Sequence, residues 1–171
     1  AFSLSDGLRS MKATVAESAR YSKESPAVRF ILIMSVVQIF SVQALNMQWQ
    51  PFFRRYLVST TGLGYIFACI SIAIMLGAGL APRLLKKLPN EQQALTLVQA
   101  MIGVCILLTT QFQGFTFVLI AFLAHELARG LIGPLKDVYL NDNIPSKERA
   151  TIISFTALAH HLGGMGGLLV S

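Results

Sequence analysis

Residues 115–139 read FTFVLIAFLAHELARGLIGPLKDVY. An apolar lead, residues 117–124, runs straight into His125, Glu126 and Arg129, and Lys136 and Asp137 follow before Tyr139. Two readings compete for so many ionisable groups in so apolar a setting. A zinc-protease signature needs histidines at i and i+4 of one helix, with a glutamate base between them. Here the fifth position is Arg129, and a guanidinium there repels a dication. His160 and His161 are adjacent, hence about 100° apart around a helix, and do not converge easily on one ion. The other reading is a membrane span, for which a bilayer core needs roughly 20 mostly apolar residues. Residues 115–139 meet that length. The charges are therefore expected inside a membrane helix, with no metal and no other cofactor.

The whole chain supports that choice. It has 171 residues, 54% hydrophobic and 13% charged, against about 25% charged in a typical soluble domain. The net charge of +6 does not point to nucleic acid, because the basic residues form short clusters between apolar runs, as membrane proteins distribute them. Cys69 and Cys105 each lie in an apolar run and read as small buried hydrophobes rather than a disulfide. The opening AFSLSDGLRSMK is polar and amphipathic, unlike a signal peptide. It lacks a starting Met, so the chain is expected to be an internal piece of a longer protein.

Five segments qualify as spans: about 28–49, 63–81, 93–110, 115–139 and 150–171. Pro26 precedes the first as a helix-start signal, and Pro82 is expected to close the second. The fold class is all-α integral membrane, a polytopic helix bundle over residues 26–171. Residues 1–25 read as a cytoplasmic connector. Leu4, Leu8, Met11 and Val15 recur at helical spacing, Ser3 and Asp6 suit an N-cap, and Arg9, Lys12 and Arg20 would face water or headgroups. Orientation follows from the remaining cations. Arg9, Lys12, Arg20, Lys23, Arg29, Arg83, Lys86, Lys87, Lys136, Lys147 and Arg149 fall on one side, and only Arg54 and Arg55 on the other. That bias places the N-terminal segment in the cytoplasm. Arg129 belongs to neither side.

Two spans carry polar arcs. Along the first, Ser35, Gln38, Gln43, Asn46, Trp49 and Gln50 fall within about 140°, and Ile33, Val37, Phe40, Ala44 and Met47 fill the opposite side. A helix surrounded by lipid has no reason to keep four amides on one face, so these are expected to line an aqueous path or hold a solute. Along the fourth, His125, Glu126, Arg129, Gly130, Gly133, Lys136 and Asp137 share about 140°, opposite Leu123, Leu127, Ala128, Leu131 and Leu135. Each charge at the bilayer centre costs roughly 2.5–3.5 kcal/mol on insertion scales. Glu126 and Arg129, three apart, can pair on the helix surface. His125, Glu126 and Arg129 are thus a candidate substrate or ion pathway, with Glu126 as its proton-responsive or cation-binding carboxylate. Thr156, His160, Gly163 and Gly167 in the fifth span, and Gly77 and Gly79 in the second, read as close helix packing.

With that topology, the chain resembles the C-terminal half of a major facilitator superfamily (MFS) transporter, helices seven to eleven of twelve. The resemblance rests on GPLKDVYLNDNIPSKERATIISF (residues 133–155), which is similar to the family's junction between helices ten and eleven. There Gly133 and Pro134 lead to a short loop that ends in Pro145 and Arg149-Ala150-Thr151. It rests also on GLAPRLLKK (residues 79–87), which resembles the basic helix 8–9 loop. That loop keeps Gly79 and Arg83, with Lys86 and Lys87 after them, but lacks the family's aspartate and second glycine. The resemblance implies two six-helix bundles rocking about a central site, with helices seven and ten facing it. It implies a multi-pass protein of the plasma or inner membrane, moving a small solute, with protons as a candidate coupling ion. It implies as partners the lipid bilayer and an N-terminal six-helix half, with Gly79, Arg83, Lys86, Lys87, Pro145 and Arg149 as gating residues of the cytoplasmic loops. The alternatives are an integral-membrane enzyme and a non-transporting scaffold. The enzyme would need a second reactive cluster at the same depth. The scaffold would have no use for three buried ionisable groups. A transporter, not an enzyme, is the expectation.

Overall fold

The computed structural model describes Arg20, residues 24–88 and residues 90–170. The connector over residues 1–25 lies almost wholly outside the described residues. Five helices follow in chain order: α1 (Pro26–Arg54), α2 (Thr61–Lys87), α3 (Glu91–Gln111), α4 (Phe115–Asn143) and α5 (Ser146–Val170). All are long and apolar enough to cross a membrane. The described chain is all-helical.

Local chemistry sets the helix ends. Ser25 precedes Pro26, and its Oγ accepts the Val28 N–H at 3.4 Å, a cap followed by a proline that needs no N–H partner. Asn90 caps α3, its side chain accepting the Gln93 N–H at 3.0 Å. The turn into α4 passes through Gly114 at φ 114°, where a side chain would be strained. Arg149 Nη2 donates to the carbonyls of Asn141 at 3.0 Å and Ile144 at 3.1 Å, satisfying groups that the end of α4 leaves open.

The helices outrun their apolar segments. Pro82 does not close the second span: α2 continues through it to Lys87. Its ring removes one N–H donor, but apolar helices tolerate that loss where the rest of the ladder persists. Arg83, Lys86 and Lys87 therefore stand on the last turns of a helix and not in a loop, and all three are exposed. Likewise α1 runs past Trp49 and through Pro51.

The chain divides into two compact units. One joins the described residues up to Phe40 with Leu140–Val170. In it Gly163 lies against α1, and a Cβ there would come within 2.9 Å of Ile39 Cγ2 and 3.2 Å of the Val36 Cα. The other unit is Ser41–Tyr139. Its core joins Phe53, Ile66, Ile70, Val118 and Phe122, with Leu45, Trp49, Ile74 and Phe115 packed around them. Phe53 meets Phe122 at 5.1 Å between ring centroids and 70° between planes. In the same unit α2 and α4 touch through their backbones. A Cβ on Gly77 would collide with the Leu127 carbonyl and lie 3.2 Å from the Gly130 Cα, and one on Gly130 would collide with the Ile74 carbonyl. Gly79 has open space around it, so only Gly77 of that pair serves packing.

Outside these contacts the surface is apolar. Ile33, Phe40, Met47, Tyr65, Met75, Leu107, Phe117 and Met165 are among many large exposed hydrophobics, more than a water-soluble surface carries. The apolar face read for the first span is on this surface. Cys69 is there too, and not buried as its apolar neighbours suggested, whereas Cys105 is buried.

Gly77→Ala and Gly130→Ala should each destabilise the protein by about 1–3 kcal/mol, the usual cost of overpacking. Gly79→Ala and Gly133→Ala, which meet nothing, should be neutral or slightly stabilising, since alanine favours the helix. Thermal unfolding of the four variants in detergent checks the contrast.

Candidate functional site

α4 is built from two kinds of sequence. Its first half is the apolar lead that packs Val118 and Phe122 into the aromatic core. Its centre is the charged cluster, with Arg129 the middle residue of the 29-residue helix. Next to it the Gly77–Gly130 contact holds α2 against α4 with no intervening side chain. The cluster thus sits where the helix is most closely gripped.

His125 and Glu126 are buried, with 0% and 2% of their surface exposed. Arg129 keeps 23% of its side chain exposed. Its Nη2 stands 2.8 Å from Glu126 Oε2, one turn away. Distance makes this an ion pair, yet Oε2 receives no directed hydrogen bond, so the guanidinium N–H lies off the axis and the attraction is chiefly coulombic. The other end of the guanidinium reaches a different helix: Arg129 Nη1 donates to Asn46 Oδ1 on α1. His125 Nδ1 is 3.5 Å from Glu126 Oε1, too long for a firm hydrogen bond. Neither ring nitrogen has a hydrogen-bond partner among the described residues. The ring lies tilted beneath Phe122, centroids 5.9 Å apart.

The expected arcs are rearranged. Both faces of α4 are covered: His125, Glu126 and Gly130 on one, Ala128, Leu131 and Leu135 on the other. Exposure changes face along the helix: Phe117, Ile120 and Ala124 lie on the side of Leu131 and Leu135, and Gly133 and Asp137 on the side of Glu126 and Gly130. An even split into polar and apolar sides fails because α4 is packed on more than one side. Of the first-span residues, Asn46 joins the cluster, and Gln38 and Gln43 are half-buried. Trp49 stacks on Phe67 at 6.4 Å and 20° and packs on the aromatic core, while Gln50 is exposed. Of the residues assigned to cytoplasmic loops, Pro145 is exposed and Arg149 half-buried as the carbonyl clamp described above.

Reading residues alone missed the Asn46–Arg129 link, which spans 83 positions. Each residue stands out by polarity, but nothing in a single chain pairs them. Gly130, which helical spacing places on the polar arc, is a packing contact. Among the described residues no three His, Cys, Asp or Glu side chains gather as for a metal ion. Comparison with family models, with curated proteins and with solved structures returns no match.

The unequal burial of the pair has a consequence for mutation. Arg129→Gln strands a carboxylate that is almost completely buried and should cost about 3–5 kcal/mol, as for other broken buried pairs. Glu126→Gln leaves an arginine that is partly exposed and still bonded to Asn46, and should cost clearly less. The double variant should recover most of the loss. Detergent melting curves of the three variants test this order.

Proposed function

We propose that the protein is a secondary transporter of the major facilitator type and that this chain is helices seven to eleven of its twelve. On this reading it moves a small solute across a cell membrane by alternating access, with the N-terminal segment cytoplasmic. The resemblance in residues 79–87 and 133–155 supports the family, as do five helices of membrane-crossing length. The positive bias of one set of helix ends supports the orientation.

One observation carries the function: a carboxylate, a guanidinium and an amide, from two helices, meet at the middle of α4. An ion pair inside a bilayer is expensive, and such groups mark solute and ion paths. The pair is also divisible. Arg129 is shared between Glu126 and Asn46, so a shift of α1 against α4 changes how much of the guanidinium remains for the carboxylate. A carboxylate whose counter-charge varies between two conformations takes up a proton in one and releases it in the other. That cycle is what coupling to a proton gradient requires, and it assigns Glu126 the coupling role, Arg129 the control of its charge and His125 a modulating contact.

Glu126→Gln preserves size and removes the ionisable carboxyl. The full-length variant should reach the membrane normally and still exchange solute down its own gradient, but should lose proton-driven accumulation. Uptake and counterflow measured in the same vesicles separate the two activities. Accumulation at the wild-type level with Glu126→Gln would overturn the coupling role.

A further inference from the structure

The ion pair is asymmetric in a way that names a class of solute. Its negative member is sealed: Glu126 is 2% exposed, in contact with His125 on one side and Arg129 on the other. Its positive member is the accessible one, with 23% of the Arg129 side chain exposed. A guanidinium has five N–H donors in a planar fork. Asn46 takes one from Nη1, and Glu126 faces Nη2 without a directed hydrogen bond. An incoming cation would have to reach a carboxylate that is 2% exposed. An incoming anion meets the arginine directly.

From this we propose that the site takes a small monoanion with two coplanar oxygens, a monocarboxylate or its equivalent, bound by the Arg129 fork together with one proton. The inference rests on the transporter reading above and supplies its substrate class. Planar oxyanions match the guanidinium fork in bidentate fashion, with stronger hydrogen bonds than the misaligned Glu126 contact provides. The anion therefore competes with Glu126 for Arg129. A carboxylate that loses its counter-charge while buried is unfavourable as an ion and takes a proton from the bulk. One O–H bond forms on Glu126, and the site ends with its original net charge: one negative charge gained with the anion and one positive with the proton. The charged or titratable side chains in contact with Glu126 among the described residues are His125 and Arg129, both on α4. Against its neighbours Leu127, Arg129 and Gly130 the adjoining helices bring Asn46 from α1 and Ile74 and Gly77 from α2, none of which titrates. His125 Nδ1 has no hydrogen-bond partner and faces Glu126 Oε1 at 3.5 Å, so a hydrogen bond from the new hydroxyl requires the two side chains to close that distance.

The experiment uses the full-length protein, with acetate, lactate and benzoate as probes and acetamide, lactamide and benzamide as neutral counterparts. Binding is read by thermal shift, and proton uptake by a pH indicator in weakly buffered detergent solution. At least one acid should bind at least tenfold more tightly than its amide and take up one proton per anion. Glu126→Gln should bind that acid without proton uptake. Arg129→Lys should weaken binding, and the Glu126→Gln/Arg129→Gln double variant, once its melting curve shows that it is folded, should abolish it. The proposal is overturned if no acid binds, if an amide binds as well as its acid, if the double variant still binds, or if wild-type binding takes up no proton. Should no acid bind while Glu126→Gln still abolishes proton-driven accumulation of a neutral or cationic solute, the substrate class falls and the transporter reading stands. Should Glu126→Gln leave proton-driven accumulation intact, the transporter coupling falls with it.

Discussion

Arg129 is shared between a carboxylate on its own helix and an amide on another, and the unit formed by Ser41–Tyr139 depends on that sharing. Among helices in lipid there is little hydrophobic gain in association, because the surrounding chains are as apolar as leucine. The aromatic cluster around Phe53 and Phe122 therefore contributes shape and dispersion rather than escape from water. Polar contacts carry relatively more of the specificity. A buried Glu126 requires a cation, the cation requires an acceptor for its other end, and Asn46 supplies it. This chain of requirements fixes the rotation of α1 and α4 about their own axes. The Gly77–Gly130 contact then fixes how near α2 can stand.

Packing and charge divide the labour along α4. Toward Phe115 the helix is held by rings meeting edge to face, a contact with few alternatives. At Arg129 it is held by a coulombic contact that lacks a directed hydrogen bond and by a single amide, which can be exchanged for other donors and acceptors. Toward Asn143 the backbone ends under the Arg149 clamp.

Much of this was legible in the residues. The five spans follow from apolar length, and the centre of α4 to within two residues: ends at 115 and 139 put it at Leu127, and the helix puts it at Arg129. The helix ends were less legible: Pro82 and Pro51 look like stops but lie inside helices, because a single missing donor is a small loss when the neighbouring turns persist. The two-sided burial of α4 was hidden because hydrophobic periodicity distinguishes polar from apolar and not protein from lipid. Leu131 and Leu135 are buried while Phe117 and Ile120 are exposed, and all four are equally apolar. The Asn46–Arg129 pairing was out of reach for a related reason. Helical spacing places residues around one axis and carries no information on the angle between two helices.

A double-mutant cycle between Asn46 and Arg129 bears most directly on the shared guanidinium. Asn46→Ala, Arg129→Gln and the combined variant are melted in the full-length protein beside the wild type, and the coupling energy is taken from the four stabilities. A hydrogen bond to a charged group predicts a coupling of about 1.5–3 kcal/mol. Additivity within about 0.3–0.5 kcal/mol, the value for residues that do not interact, would show that α1 and α4 are not joined through this arginine.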